Sequence, residues 1–281
     1  MDLGLEGKVA LVAGGSSGIG LAVATELARE GAHVAIAGRD ADRLQAAVHG
    51  LREVAEHAAK GGRITGSSLD LTDPDAARRW VDEVATEFGA LHVVLISGSS
   101  PPIGTTARFD LADYQAAVNR VLYPAINLAL AAVGHLRAAG WGRLLFVASE
   151  TAVEPIAPLV LSGITRAALV RFAQGLAADL GPAGITVNVL APGTVRTPPV
   201  ERAAARLAAD DSEYEARLAA IGAHSALGRL ARPEEIGAVA AFLASERASF
   251  VTGTVHLIDG GAGAMGPDLP HLSGTAPDTF T

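Results

Sequence analysis

Cysteine is absent from the 281-residue chain, and aromatic residues make up only 4% of it. Without cysteine the chain has no disulfide framework, no thiol nucleophile and no thiolate metal site. Lysine occurs only at Lys8 and Lys60, so few positions can supply an amine to a reaction. No grouping of His, Asp and Glu has the spacing of metal ligands, and we predict no metal site.

An excess of basic charge is also missing. The formal net charge is -8 and the pI is about 5.5. An acidic surface repels a phosphate backbone, so we predict no nucleic-acid partner. The segment 1–7 has no basic region followed by an apolar run, and apolar stretches elsewhere are broken by charges, Gly or Pro. We therefore predict a cytoplasmic protein that acts on a small molecule, without a membrane partner.

Short β-rich runs alternate with Ala-rich helical stretches along most of the chain, which is 49% hydrophobic. This alternation is typical of a parallel sheet covered by helices on both faces. We predict an α/β fold: a Rossmann-type, doubly wound parallel sheet in three layers, forming a single domain. The predicted strands are Val9–Ala13, His33–Ala37, Arg63–Leu69, Leu91–Ile96, Arg143–Ala148, Thr186–Leu190 and Val255–Ile258. The predicted helices are Ile19–Glu30, Ala41–His57, Ala76–Phe88, Tyr114–Ala138, Val160–Leu180 and Glu234–Ala244.

Two segments depart from this alternation. Residues 197–224 form a polar, Ala-rich helical insertion, which in such folds usually covers the substrate as a lid. Residues 263–281 are rich in Gly, Pro, Ser and Thr, which is typical of a loosely docked terminus. We therefore assign 1–262 to the domain and 263–281 to a C-terminal tail.

A glycine-rich loop joins the first predicted strand to the first predicted helix. Glycines permit a tight turn and a close approach of the backbone to a pyrophosphate, and the helix N-terminus adds free N–H groups. Its position in the first strand–turn–helix unit makes it a specific signal for a dinucleotide. The predicted cofactor contacts here are Gly14, Ser16, Ser17, Gly18, Ile19 and Gly20.

The end of the second strand bears on the choice of cofactor. Gly38 stands where NAD-binding proteins place an acid for the ribose 2′-hydroxyl, and Arg39 follows it. This favours NADP(H), with NAD(H) as the alternative if Arg39 only stacks on the adenine. Asp70, after the third strand, is placed to meet the adenine edge.

Several motifs together resemble the short-chain dehydrogenase/reductase family over residues 5–262. They are the glycine motif from Ala13 to Gly20, the pair Asp70 and Leu71, the Pro192–Thr197 loop, and Val251–Gly253 followed by Asp259–Gly261. The resemblance implies that Pro192, Gly193, Val195 and Thr197 hold the nicotinamide carboxamide. It also places Ser97 and Gly98 in the cofactor site, where the family usually has Asn-Asn-Ala-Gly. The following Ser100–Gly104 is similar to a less common, reductase-like branch that also lacks the family's tyrosine.

The family's catalytic set is Asn, Ser, Tyr and Lys, and only half of it is present. Asn119 and Ser149 match the Asn and the Ser, whereas Ser162 stands where Tyr is expected and Arg166 where Lys is expected. A serine hydroxyl is a far weaker acid than a phenol. Arg cannot relay a proton, but its donors can still clamp a ribose diol. We therefore expect cofactor binding by Arg166 to persist and proton transfer to change.

Four residues are candidate replacements for the missing tyrosine. Glu154, and Glu150 before it, follow Ser149 beside the expected substrate pocket, where burial can raise a carboxyl pKa. The alternative is that they are solvated loop carboxylates. Tyr123 lies one helical turn after Asn119, where we favour packing between subunits over catalysis. His224, at the end of the insertion, titrates in a useful range.

The sequence leaves three functions open. The first is an NADP(H)-dependent dehydrogenase or reductase that acts on a ketone or secondary alcohol with atypical catalytic residues. The second is a non-redox dehydratase, isomerase or cyclase on the same scaffold, and the third is a non-catalytic nucleotide-binding protein. The resemblance also implies a homotetramer or homodimer that uses the helices Tyr114–Ala138 and Val160–Leu180 and the last strand.

Overall fold

One parallel sheet organises the protein, whose computed structural model describes residues 2–58 and 61–264. Within that part of the chain the sheet has seven strands in the order β3-β2-β1-β4-β5-β6-β7. The Rossmann-type prediction is therefore confirmed, with strand ends shifted by a few residues at most. The strands are β1 Val9–Ala13, β2 His33–Gly38, β3 Ile64–Ser68, β4 Val93–Ile96, β5 Gly142–Val147, β6 Ile185–Pro192 and β7 Val255–Ile258.

Helices cover both faces of this sheet and make the predicted three layers. Helices α1, α2 and α9 pack on one face, and α3, α5 and α6 pack on the other. The helices are α1 Gly18–Arg29, α2 Ala41–Glu56, α3 Pro74–Phe88, α4 Leu111–Ala117, α5 Tyr123–Ala138, α6 Val160–Leu180, α7 Pro198–Leu207, α8 Asp211–Gly222 and α9 Pro233–Leu243.

Strand β1 shows why the sequences of the central strands are continuous apolar runs. Val9, Leu11 and Ala13 belong to the core under α3, α5 and α6, whereas Ala10 and Val12 belong to the core under α1, α2 and α9. Alternate side chains of a strand point to opposite faces, so a strand covered on both sides must be apolar at every position. All five residues are buried.

The order of the strands reverses beside β1. The chain runs from β1 outward to β2 and β3, and then returns to place β4 on the other side of β1. Ala13 at the end of β1 is in register with Ala37 of β2 and with Ile96 of β4. The carboxyl ends of these strands therefore open a crevice, which is the usual ligand position in doubly wound sheets.

The predicted helix Tyr114–Ala138 differs from the observed one. The helix begins earlier, at Leu111, and a π-helical turn over Val118–Leu122 separates α4 from α5. Asp110 explains the early start, because its carboxylate accepts a hydrogen bond from the backbone N–H of Asp113 at 3.1 Å. A π turn inserts an extra residue into the helix and is frequent at functional sites.

Counted through the π turn, Leu111–Ala138 is long and apolar enough to span a membrane by length and composition alone. In the fold, one side of α5 packs on the sheet through Leu128, Ala132 and Leu136. The apolar composition of that side follows from its place in the layer. Tyr123 and Leu130 remain exposed on the helix.

The insertion 197–224 folds as helices α7 and α8. Thr197 precedes α7, and Pro198 occupies its first turn, where the missing N–H costs no helical hydrogen bond. Asp210 caps α8 by accepting a hydrogen bond from the N–H of Glu213 at 2.8 Å. Of the predicted tail, residues 265–281 lie outside the described residues.

Candidate active site

A crevice of about 560 Å³ lies at the carboxyl ends of the strands, where their order reverses. Its walls come from the loops after β1, β2, β3 and β4, from the end of β5, and from the start of α7. A groove of this size in this position suits an elongated ligand that crosses the sheet edge.

The glycine-rich loop lines this crevice and packs too tightly for side chains. Gly14 and Gly18 have φ angles of 72° and 54°, which few residues with a Cβ adopt. A Cβ at Gly14 would lie 2.6 Å from the carbonyl oxygen of Ser97, and one at Gly20 would collide with the carbonyl of Gly14. Each glycine is therefore required by the turn, as the sequence predicted.

The first turn of α1 is open to an anion. Ser17 precedes the helix without capping it through its side chain, and no acidic residue lies in that turn. The first N–H groups of the helix and its positive dipole end therefore face the crevice. The predicted contacts Ser16, Ser17, Gly18 and Ile19 line the crevice, whereas Gly20 lies behind them against Gly14.

The end of the crevice beside β2 and β3 contains Arg39, Asp70 and Leu71, three residues that the sequence analysis named as cofactor contacts. Asp70 accepts hydrogen bonds from the N–H and the hydroxyl of Thr72 at 3.0 and 2.9 Å. The bond from the Thr72 N–H, together with the charges of Arg39 and Arg120, lowers the pKa of Asp70. Asp70 is therefore a fixed acceptor at this end.

Arginine dominates the charge of the crevice, although the whole chain is acidic. Two aspartates, Asp40 and Asp70, also lie in the wall. Three of the arginines, on α2, in the π turn and on α7, were missed by the sequence analysis because no local motif marks them. The five arginines are Arg39, Arg43, Arg120, Arg166 and Arg202.

The wall opposite the glycine-rich loop comes from the segment before α7. A Cβ at Gly18 would lie 3.2 Å from Cγ2 of Thr197, so this predicted cofactor contact closes one side of the crevice. Ser97 and Gly98 line the crevice too. Pro192, Gly193 and Val195 lie outside its lining, and the N–H of Gly193 donates to the carbonyl of Ile258 at 3.0 Å.

Ser149 and Ser162 converge on one threonine. Ser149 follows β5, and its hydroxyl accepts a hydrogen bond from the N–H of Thr151 at 3.3 Å. The hydroxyl of Ser162, in the first turn of α6, lies 3.0 Å from that of Thr151. Thr151 is buried, so Ser162 is held by an interior partner. The structure thus brings together two predicted catalytic residues and a linking threonine that the sequence analysis missed.

Among the described residues, Asn119 makes no hydrogen bond to Ser149 or Ser162. It belongs to the π turn and is exposed, and it does not line the crevice, whereas its neighbour Arg120 does. Tyr123, 51% exposed, and His224, also exposed, are likewise absent from the lining. Of the predicted catalytic residues, Arg166 alone lines the crevice, and Ser149, Glu150, Glu154 and Ser162 lie outside its lining as well. The lining therefore favours none of the candidate replacements for the tyrosine over the others.

Arg166 reaches the crevice from α6 with its side chain buried. Its guanidinium donates to the carbonyl oxygens of Val147 at 3.0 Å and Ser99 at 3.1 Å. It therefore ties the end of β5 to the loop after β4, a role that the sequence did not predict. Nε has no acceptor among the described residues. Burial lowers the pKa of Arg166 to about 10, which leaves it charged at neutral pH.

Two carboxylates lie near Ser149. Glu150 is partly buried, and its Oε2 packs against Gly193. A Cβ atom added to Gly193 would lie 3.1 Å from that oxygen. Burial, and then the charges of Asp259 and Glu154, raise the pKa of Glu150 to about 7. The Glu154 carboxyl occupies the space beside Gly263. The surroundings thus raise the pKa of Glu150, which the sequence analysis had named after Glu154.

Comparison with known proteins agrees with this architecture. The family model described as enoyl-(acyl carrier protein) reductase matches residues 13–263. The chain is 34% identical over 259 residues to cis-4-hydroxycyclohexanecarboxylate dehydrogenase of Sinomonas cyclohexanicum, covering 92% of this chain and 97% of the relative. It is 33% identical over 274 residues to cyclohexanol dehydrogenase of a Rhodococcus species, covering 92% and 97%.

A solved structure shares the whole fold. L-sorbose reductase from Gluconobacter frateurii, in complex with NADPH and L-sorbose, superposes with a TM-score of 0.86 at 32% identity. The match covers 92% of this chain and 98% of that one. Together with the glycine-rich crevice and the seven-stranded sheet, these matches show that the chain belongs to the short-chain dehydrogenase/reductase family.

Proposed function

We propose that the protein is an NADP(H)-dependent oxidoreductase that interconverts a ketone and a secondary alcohol of a small metabolite. The cluster of five arginines in one crevice of an acidic protein carries this proposal. NADP(H) differs from NAD(H) by a 2′-phosphate, and arginine is the side chain best suited to bind it. NAD(H) remains the alternative cofactor.

The crevice fits a dinucleotide on three points. The glycines leave the space that a Cβ would fill, the start of α1 offers N–H groups to a pyrophosphate, and Asp70 offers an acceptor to an adenine. Arg39, with Arg43 on α2, would hold the 2′-phosphate. Arg166 would contact the nicotinamide ribose through the N–H groups that Val147 and Ser99 leave free.

The substrate end would use Ser149 to polarise the reacting oxygen. When bound, the nicotinamide supplies or accepts the hydride. Ser149 lies at the end of β5, and its hydroxyl can donate a hydrogen bond while it accepts the one from Thr151. Ser162 would support Thr151 rather than exchange a proton, and Asn119 would act by positioning. The alicyclic alcohols named for the two relatives suggest a compact cyclic substrate.

A non-redox reaction is the second candidate, and the pairing of Ser162 with Thr151 favours it. A serine hydroxyl bonded to Thr151 is a far weaker acid than the phenol that the family uses for proton transfer. In that case the nucleotide would be structural.

Assembly and location complete the proposal. Tyr123 and Leu130 on α5 and Ile164 on α6 are exposed apolar residues on neighbouring helices. Phe250 and Leu257 are exposed beside the edge strand β7. Two such patches suit a homotetramer, and one of them suffices for a homodimer. We also propose a cytoplasmic location, where NADP(H) and small metabolites are available.

Turnover of a coenzyme tests the function. The protein is incubated with NADP⁺ and a panel of secondary alcohols that includes cyclohexanol and cis-4-hydroxycyclohexanecarboxylate, and NADPH absorbance is followed. Saturable NADPH formation with at least one alcohol supports the proposal. The non-redox alternative would be supported if the protein binds NADP(H) tightly and converts a substrate to product while the amount of NADPH stays constant.

A further inference from the structure

Glu150 occupies the position where the two halves of the proposed site meet. It follows Ser149 directly, and its backbone begins the short helical turn Glu150–Ala152 that Ser149 caps. Its carboxylate packs against Gly193, the second residue of the loop expected to hold the nicotinamide carboxamide. Glu150 therefore adjoins the proposed substrate-polarising residue in the chain, and its carboxylate lies beside the loop proposed to hold the nicotinamide.

The charged groups around Glu150 come from several elements. Asp259, at the end of β7, and Glu154, on the same loop, are the charges that act on it, and both favour its neutral form. Arg166 on α6 does not compensate, because its guanidinium is turned to Val147 and Ser99. With burial added, the pKa of about 7 lets Glu150 both give and take a proton at neutral pH.

We propose that Glu150 exchanges the proton with the substrate oxygen, in place of the tyrosine that Ser162 replaces. This inference rests on the proposed oxidoreductase function. In reduction, the carbonyl carbon accepts the hydride, the π electron pair moves to oxygen, and that oxygen takes the proton of Glu150. The products are the alcohol, the oxidised coenzyme and the Glu150 carboxylate, which regains its proton from water. Alcohol oxidation runs through the same groups in reverse.

This placement has a consequence that needs no substrate. The oxidised nicotinamide ring is positively charged and the reduced ring is neutral. A carboxylate beside the ring therefore favours NADP⁺ over NADPH, whereas a neutral carboxylic acid does not discriminate in this way. The ratio of the two dissociation constants, NADPH over NADP⁺, should rise as pH rises through the pKa of Glu150. Titration of the 2′-phosphate is common to both coenzymes and cancels from the ratio.

The experiment measures both dissociation constants by calorimetry from pH 5.5 to 8.5 with wild type, Glu150→Gln and Glu154→Gln. We expect the wild-type ratio to rise by about tenfold, as a charge pair in a partly shielded site allows. Glu150→Gln should give a ratio independent of pH. Glu154→Gln, the matched control, should keep the rise but move it to lower pH, because a like charge next to Glu150 is removed. Thermal unfolding checks that both variants are folded.

The outcomes separate this inference from the proposed function. If both coenzymes bind and the wild-type ratio is flat, or if Glu150→Gln keeps the rise, the Glu150 assignment is wrong and NADP(H) binding stands. If neither coenzyme binds, the proposed function is wrong, and this inference is wrong as well because it rests on that function. With an alcohol that the enzyme oxidises, Glu150→Gln should lower kcat by about 10²–10⁴-fold and remove the limb of the pH profile near neutrality. Unchanged kcat in that variant would overturn the proton role.

Discussion

The two ends of the proposed site are built from different materials. The cofactor end has a backbone framework of glycines without room for a Cβ, the open start of α1 and strand ends in register, to which arginine side chains such as Arg39 are added. The proposed substrate end depends on side chains, where the sequence has Ser162 at the position at which the resemblance implies Tyr, while Ser149 matches the implied Ser. A site made of backbone changes little when side chains change. Under the proposed function, nucleotide binding is therefore kept while the group that transfers the proton changes.

Substituting the glycine-rich loop should break the cofactor end completely. In Gly18→Asp a carboxylate would enter the anion site, and a Cβ would press on Thr197 at a residue with φ of 54°. We expect calorimetry to detect no NADPH binding. Gly50→Asp is the matched control, because a Cβ there meets no atom within 4 Å and Gly50 lies in α2, outside the crevice. Wild-type affinity in Gly18→Asp would remove the phosphate role of this loop.

Two serine variants test the substrate end. Ser149→Ala removes the hydroxyl that we expect to polarise the substrate oxygen, and kcat should fall by about 10²–10³-fold. Ser162→Ala should change kcat by less than about tenfold, because its hydroxyl is bonded to buried Thr151. Steady-state kinetics with the alcohol found in the panel make the measurement. A larger loss in Ser162→Ala than in Ser149→Ala, with NADPH affinity intact, would make Ser162 the catalytic hydroxyl.

Variants of Arg39 and Arg43 test which arginine at the cofactor end binds the 2′-phosphate. A charge-assisted hydrogen bond contributes about 1.5–3 kcal/mol, so Arg39→Ala should weaken NADPH binding by roughly 10- to 100-fold. NADH binding should change little. Arg43→Ala should have a smaller effect, because Arg43 is paired with Asp40. Equal losses for NADPH and NADH in Arg39→Ala would show that Arg39 stacks on the adenine.

Arg166 lies between the two ends, and its removal should weaken cofactor binding less than the removal of Arg39. Arg166→Ala removes the tie between Val147 and Ser99 and the proposed ribose contact. We expect about a tenfold loss of NADPH affinity, equivalent to one or two neutral hydrogen bonds. Fluorescence titration measures it, and urea unfolding provides the control. A loss of stability without any loss of affinity would make Arg166 purely structural.

The sequence predicted the parts of the molecule that depend on local pattern. Strands such as β1, buried on both faces, appear as apolar runs, and Gly14 and Gly18 mark a turn with positive φ. Side-chain partners distant in the chain could not be read in this way. The Ser162–Thr151 pair and the bond from Arg166 to Ser99 depend on how α6 docks on the ends of β4 and β5.

For the same reason, the sequence could not show that the surroundings would raise the pKa of Glu150. Glu150 and Glu154 have the same residue type and lie on the same loop. Burial of Glu150, and then the charges of Asp259 and Glu154, raise its pKa to about 7, and these depend on how the loop packs against Gly193 and the end of β7. The π turn at Val118–Leu122 likewise has no sequence pattern that distinguishes it from a continuous helix.

Calorimetric titration of the wild-type protein with NADPH and with NADH, at one pH and one salt concentration, tests the central claim most directly. The arginines of the crevice predict that NADPH binds at least about tenfold more tightly than NADH, since the 2′-phosphate adds charge-assisted hydrogen bonds. Raising the salt concentration should narrow that difference. Equal affinities, or no binding of either coenzyme, would contradict the claim that this crevice is an NADP(H) site.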